Sequence, residues 1–163
     1  SIVRMSGDNA LEIAQKLTKT DFTPRYAKLA KFYNHQNELI DIPLVLYFKN
    51  PNSFTGEDIV EFQCHGGVAV SRLILETLIE AGARVADAGE FSKRAFFNGK
   101  IDMAQAEAIA KMIDSKSKES IKILSKQLRG DLSAFVNEIR ENLLEIMAYV
   151  EVNIDYAEED LPS

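Results

Sequence analysis

A change in the period of the hydrophobic residues near residue 101 is the feature that most constrains the fold. Upstream, apolar and polar residues alternate over short stretches such as 2–6 and 58–63, a pattern typical of half-buried strands. Downstream, apolar or small residues recur at every third or fourth position, which predicts helices. We therefore expect an α+β chain. An N-terminal domain with a mixed or antiparallel sheet (residues 1–100) is followed by an all-α helical hairpin from a larger helical domain (residues 101–163).

The first hundred residues predict strands and helices around an inserted hairpin. A strand over 2–6 precedes a helix that Asp8 is expected to cap. The stretches 25–33 and 39–48 predict the two arms of a β-hairpin, with Pro43 at an edge or a bulge. A helix over 68–81 and a short strand over 84–86 follow. The apolar residues expected to share one core-facing side of the second arm are Ile40, Ile42, Leu44, Leu46 and Phe48.

The last part of the chain predicts two long helices. Asp102 is the expected cap of the first helix, Gly130 its end and Asp131 the start of the second. Joined at the glycine, they would form an antiparallel hairpin that needs further partners. The first helix is basic between Lys111 and Arg129. We expect these charges mainly to pair with the acidic second helix, with nucleic-acid contact as the weaker alternative.

Length and charge narrow the class of protein. At 163 residues and 46% hydrophobic, the chain can bury a core, and no apolar run is long enough to predict a membrane span. Residues 1–100 carry 12 basic and 12 acidic side chains, whereas residues 101–163 carry 7 and 13, which argues against a broad nucleic-acid footprint. The lone Cys64 predicts neither a disulfide nor a zinc site and favours a cytoplasmic setting. The absence of an initiator Met suggests a piece of a longer protein.

The stretch 51–67, PNSFTGEDIVEFQCHGG, predicts a strand between a turn-rich loop and a glycine pair. Loops of this kind can approach a ligand closely while the strand holds them in place. Its acids and His65 are equally compatible with a solvated edge strand. Cys64 and His65 do not predict a nucleophile and its base, because neighbours on a strand point to opposite faces. They are expected to shape the turn.

A second stretch, 89–100, predicts a short aromatic helix ending in a tight turn just before Lys100. A solvated lysine at a domain boundary is the plainer interpretation of Lys100. Neither a G-x-x-x-x-G-K-[ST] phosphate loop nor a G-x-S-x-G motif occurs in the chain. The residues by themselves therefore predict binding rather than catalysis, with no catalytic residue and no metal ligand.

Several segments in order carry a resemblance to a known family. They are SIVRMSG (1–7), NSFTGED (52–58), CHGG (64–67), GEFSKRAF (89–96), NGKID (98–102), AQAEA (104–108), LRG (128–130) and VEVNID (150–155). Over essentially its whole length the chain resembles the N-terminal part of the tRNA-modification GTPases of the MnmE (TrmE) family.

The resemblance implies a parent with three parts. An N-terminal domain binds 5-formyltetrahydrofolate or a related tetrahydrofolate and forms a homodimer, and a central helical domain follows. A G domain inserted into the latter binds GTP, potassium and magnesium. This chain would hold most of the first part and the start of the second, with the acidic residues 158–160 as a connector, and should itself have no GTPase activity. With a flavin-containing partner protein, the family adds a carboxymethylaminomethyl-type group to the wobble uridine of certain tRNAs.

The family's folate pocket matches three positions of this sequence, which are Arg4, Glu61 and Lys100. A pterin presents adjacent N–H donors that one carboxylate can accept in a bidentate pair, and Glu61 is the candidate for this role. Arg4 and Lys100 would bind the anionic end of the folate or orient the one-carbon group. The resemblance also suggests ring-walling roles for Phe54, Phe62, Phe96 and Phe97, although core packing is a commoner fate of such residues.

Two other functions remain open from the sequence. The chain would be a purely structural module for dimerisation and assembly if Arg4, Glu61 and Lys100 pointed to separate surfaces. Direct tRNA docking through the basic face of the first long helix is the weaker alternative, because neither part of the chain carries net positive charge.

Overall fold

The computed structural model describes residues 1–156 and the side chains up to residue 154. The predicted connector at 158–160 lies outside the described residues. The chain divides into two compact units, one spanning Ser1–Ile101 and one beginning at Asp102. Strands and helices mix in the first unit, whereas only helices occur in the described part of the second. The fold is therefore α+β, as the change of period predicts.

The first unit is organised around a four-stranded antiparallel sheet in the order β1-β6-β5-β2. A separate two-stranded sheet pairs β3 with β4. The bounds are β1 Ile2–Ser6, α1 Ala10–Thr18, β2 Lys28–Leu29, β3 Phe32–Tyr33, β4 Leu39–Asp41, β5 Leu44–Phe48, β6 Ile59–Gln63, α2 Val68–Glu80 and α3 Glu90–Phe97.

The core of this unit lies on one face of the larger sheet, under α1 and α2. At its centre the rings of Phe32 and Phe62 meet edge to face, with centroids 5.2 Å apart and both side chains fully buried. Because Phe32 belongs to the small sheet and Phe62 to the large one, this contact joins the two sheets. Ile74 and Leu78 of α2 and Ala14 of α1 close the core from the helical side.

Four sequence predictions for the first unit are wrong in detail. The arms 25–33 and 39–48 do not pair with each other throughout, because β2 pairs with β5 while β3 pairs with β4. Val45 and Tyr47 are the buried residues of β5, and the Leu44, Leu46 and Phe48 face is only half-buried. Residues 84–86 form no strand. Asn9, not Asp8, is the N-cap of α1, with no side-chain hydrogen bond.

The second unit contains three helices in its described part, α4 Met103–Asp114, α5 Lys118–Leu128 and α6 Asp131–Tyr156. The predicted first long helix is wrong, because the chain is extended at Ser115 and Ser117 and Ser117 caps a new helix by accepting from the Ser120 N–H. The hairpin is thus formed by α4 and α5. Gln105 Nε2 donates to the Leu128 carbonyl and Gln127 Nε2 to that of Ala104, each at 2.8–2.9 Å, which ties the start of α4 to the end of α5.

Asp102 caps α4 as predicted. Its Oδ1 accepts the Gln105 N–H at 2.8 Å, while the Gln105 side chain accepts the Asp102 N–H at 2.9 Å, completing a capping box. The other oxygen, Oδ2, accepts from Ser133 Oγ of α6 at 2.6 Å. The bond from Ser133, together with the cap bonds, lowers the pKa of Asp102. One carboxylate therefore joins the first turns of two helices.

Candidate functional site

Arg4 and Glu61 form an ion pair across β1 and β6. They are direct partners in the strand register, and Arg4 Nε and Nη2 both approach Glu61 Oε1, at 2.7 and 2.6 Å. Because Val60 and Phe62 point into the core, Glu61 lies on the opposite face of the sheet. There its side chain is only 13% exposed, whereas that of Arg4 is 42% exposed. The arginine supplies the charge that a largely covered carboxylate needs.

The pair leaves part of Glu61 available for a ligand. Both Arg4 nitrogens approach Oε1, and in the described part of the chain no donor bonds to Oε2. The Arg4 guanidinium also lies 5.8 Å from the centroid of the Phe91 ring, within the range of a cation–π contact. Arg4 is thus held from two sides, and the Glu61 carboxylate keeps acceptor capacity. Phe91 belongs to the predicted aromatic helix but was not among the phenylalanines suggested as walls for the ring.

Next to this pair, a charged network links α3 to the 51–58 loop. Glu90, at the start of α3, is 9% exposed. Its carboxylate accepts from both Nη atoms of Arg84, from Arg94 Nη2 at 2.7 Å and from the Asp87 N–H at 2.9 Å. The Arg84 guanidinium, followed by the Asp87 N–H and Arg94, holds the pKa of Glu90 well below its ordinary value.

Arg94 carries the network onward to the loop. Its Nη1 donates to Glu57 Oε2 at 2.8 Å, and Ser6 Oγ at the end of β1 donates to the same oxygen at 2.8 Å. Ser6 Oγ also lies 2.7 Å from Thr55 Oγ1. Arg84, Glu90 and Arg94 were not predicted from the sequence. In the sequence, two arginines flank one acid at the start of a predicted helix, which could have indicated a charged cluster. That pattern does not reveal that Glu90 is buried.

Lys100 packs against the 51–58 loop at Gly56. Its N–H closes the turn after α3 by donating to the Ala95 carbonyl at 2.8 Å. Its aliphatic chain lies so close to Gly56 that a Cβ there would come within 3.1 Å of Lys100 Cε. Gly56 also has φ +81°, so the position suits glycine for both reasons. Asn98 Nδ2 donates to the Thr55 carbonyl at 2.7 Å and fixes the same contact.

A cleft with a volume of about 750 Å³ runs beside β1. Its lining includes Arg4, Phe91 and Arg94, and it excludes Glu61 and Lys100. The structure therefore brings Arg4 and Glu61 into direct contact and does not place Lys100 in the cleft that Arg4 lines.

The four suggested ring-walling phenylalanines lie in different environments. Phe62 is fully buried in the core on the opposite face from Glu61, so its suggested role is wrong. Phe54 and Phe97 are 39% and 72% exposed. Phe96 packs edge to face on Phe97, with centroids 5.6 Å apart. Phe91 contributes the ring beside the Arg4 guanidinium.

Cys64 and His65 hold the end of β6. Cys64 is buried, and burial raises the pKa of its thiol. Asp41 at the end of β4 accepts the His65 N–H at 3.0 Å, and its Oδ1 lies 2.6 Å from His65 Nδ1. Among the residues that the structure describes, no group of His, Cys, Asp and Glu has the arrangement of a metal site, and no helix is long and apolar enough to cross a membrane.

Comparison with known proteins agrees with the motifs. Residues 1–100 match the family model described as GTP-binding protein TrmE N-terminus, and residues 103–163 match the MnmE helical domain. This chain is similar to proteins named tRNA modification GTPase MnmE from Aliarcobacter butzleri, Sulfurimonas denitrificans and a Nitratiruptor species. The identities are 60%, 59% and 61%. The alignments cover 100%, 99% and 97% of this chain.

The chain spans 36–37% of the length of these relatives. The two family models between them cover nearly all of its residues, in the order in which the two units follow each other. The chain belongs to the TrmE (MnmE) family of tRNA modification GTPases, with which it shares the N-terminal domain and helical-domain sequence.

Proposed function

We propose that residues 1–100 bind a reduced folate, 5-formyltetrahydrofolate or a close relative, and form a homodimer. The observation that carries the folate proposal is the Arg4–Glu61 pair, a largely covered carboxylate with one oxygen that accepts from no donor among residues 1–156. A pterin presents two adjacent N–H donors to such a group. Arg4 and Lys100 complete the proposed set, with Phe91 beside Arg4 as a further ring contact.

The parent protein, in this proposal, is a GTP hydrolase that modifies tRNA. Its relatives carry the name tRNA modification GTPase. Binding of GTP, potassium and magnesium belongs to chain outside these 163 residues, which contain no phosphate-loop sequence. With a flavin-containing partner, the parent adds a carboxymethylaminomethyl-type group to the wobble uridine of certain tRNAs in the cytoplasm, using the folate as one-carbon donor.

Titration calorimetry with 5-formyltetrahydrofolate tests the folate proposal. We expect saturable binding to the wild type and a loss of at least tenfold in affinity in Glu61→Gln, because the neutral amide presents an N–H donor where the pterin needs an acceptor. Glu76→Gln is the matched control, since Glu76 forms an exposed ion pair with Arg72 on α2. It should bind as the wild type does.

A second candidate function is a purely structural assembly module. The observation in its favour is that Lys100 lies against Gly56 and outside the cleft that Arg4 lines. The two functions separate in one experiment, in which dimer mass and folate heat are measured on the same sample. A folded dimer that gives no heat with 5-formyltetrahydrofolate would exclude folate binding and leave the assembly function.

A further inference from the structure

β1 is an edge strand with a free outer side. Within residues 1–156, the sheet order β1-β6-β5-β2 gives it one partner, β6. Antiparallel pairs alternate between residues that exchange two backbone hydrogen bonds and residues that exchange none. Ser1 and Cys64 exchange both bonds, and the Gly7 N–H donates to the Asp58 carbonyl. The odd-numbered residues of β1 therefore bond to β6.

It follows that Ile2, Arg4 and Ser6 direct their backbone N–H and C=O groups away from β6, toward the cleft. The lining of the cleft includes the whole of β1, from Ile2 to Ser6. Three regularly spaced donor and acceptor pairs thus lie along one side of it. An unpaired row of this kind is the template to which an additional strand adds.

The segment 82–86 also lines this cleft, and it too has unused backbone groups. Gly82 and Ala83 close the end of α2 through their N–H groups. Within residues 1–156, the N–H groups of Arg84, Val85 and Ala86 find no backbone acceptor. The sequence predicts a strand over these residues, and a strand cannot form without a partner to complete its hydrogen bonds.

We propose that the cleft receives one additional β-strand, contributed by the same polypeptide outside these 163 residues. One edge of this strand pairs with Ile2, Arg4 and Ser6 of β1, and its other edge pairs with the segment 84–86. The larger sheet then gains one strand, or two if residues 84–86 also form a β-strand. A strand as long as β1 extends about 17 Å at the usual rise per residue, and α2 residues such as Leu75 and Ile79 supply an apolar wall for its side chains.

The shape of the cleft favours this occupant over a second copy of the chain. A second copy would bring β1 with its own α1 and α2 attached, whereas α2 and the 82–86 segment already border the free edge on this side. A single extended segment needs no such room. The chain spans 36–37% of the length of its relatives. A polypeptide as long as these relatives has ample further sequence from which to supply a strand.

Hydrogen exchange of the intact parent protein tests the proposal, read residue by residue by mass spectrometry with electron-transfer fragmentation. We expect the amides of Ile2, Arg4 and Ser6 to be protected at least a hundredfold more in the intact protein than in the 163-residue chain. Val3 and Met5 bond to β6 and serve as internal controls, protected in both. Equally fast exchange of the three outward amides in both proteins would overturn the proposal, and so would protection that increases with protein concentration, which would indicate a second copy.

A pair of variants gives an independent measurement. Ile2→Pro removes the outward N–H and leaves the inward bonds of Ser1 and Val3 in place, while Ile2→Ala removes the side chain and keeps the N–H. We expect Ile2→Pro to lower the melting temperature of the intact protein more than Ile2→Ala, and the two variants to melt alike in the 163-residue chain. Equal melting temperatures in the intact protein would contradict a strand at this edge.

Discussion

At the scale of single residues, the buried acid Glu90 stands out within residues 1–156 because it pairs with two arginines. Two arginines and a backbone N–H hold its carboxylate at the start of α3, and Arg94 extends the contacts to Glu57 on the loop. This arrangement orders the loop around Thr55 and Gly56. It also places Phe91, one position after Glu90, against Arg4.

Replacing Glu90 by Gln and comparing stability at neutral and low pH tests whether the charged Glu90 carboxylate stabilises the fold. Because the pKa of Glu90 is lowered in the folded protein, its stabilisation is fully present above the ordinary glutamate pKa of about 4.3. It is lost as the pH falls below that value toward the folded pKa. We expect Glu90→Gln to melt at lower temperature than the wild type at pH 7 and the difference to shrink by pH 3, measured by circular dichroism.

The exposed pair Arg72–Glu76 provides the control for this comparison. Glu76→Gln should change the melting temperature little at either pH, since exposed pairs of this kind contribute little to stability. A Glu90→Gln curve parallel to the wild type from pH 7 to 3 would contradict the assigned role of the carboxylate.

At the scale of elements, the predictions succeeded where a local signal decided the outcome. The alternation at 2–6 and 58–63 and the cap at Asp102 correspond to β1, β6 and the start of α4. The predicted long helix failed because the break at 115–117 is specified by Ser117, whose capping competes with helix continuation, and no Gly or Pro marks it. The buried face of β5 was assigned wrongly because both of its faces are apolar, so alternation could not choose between them.

Asp102→Ala is the corresponding test on an element. It removes the cap of α4 and the bond from Ser133 together, and we expect the free energy of unfolding of the helical unit to fall by about 1 kcal/mol or more. Urea unfolding followed by helical ellipticity measures it. Asp102→Asn keeps a capping oxygen and should recover much of the loss, whereas equal stability of all three proteins would contradict the role of this cap.

At the scale of the whole molecule, an apolar contact in the core joins the two sheets of the first unit. Phe32 and Phe62 come from different sheets and are both fully buried. Sequence alone favoured the burial of Phe62 but could not reveal its partner, because strand pairing of β3 with β4 and of β5 with β6 is set by the tertiary fold. The Arg4–Glu61 contact has the same origin, since those residues are 57 positions apart.

Phe62→Ala should therefore lower the free energy of unfolding of the first unit by about 3–5 kcal/mol, the usual cost of such a cavity. Denaturant unfolding followed by near-ultraviolet circular dichroism measures it. Phe97→Ala removes the same side chain from a position that is 72% exposed and should cost well under 1 kcal/mol. Similar losses in the two variants would contradict the central place of Phe62.

Arg4 takes part in two proposed events at once, because its backbone faces the open edge of β1 while its side chain holds Glu61. Pairing of a strand along that edge would restrict the backbone of Arg4 and, through it, the freedom of the guanidinium. Folding of the edge and occupation of the Glu61 site would then be thermodynamically linked. Such linkage is reciprocal. The ligand that binds at Glu61 would therefore increase the affinity of the sheet for its added strand by the same factor by which the strand increases the affinity for the ligand.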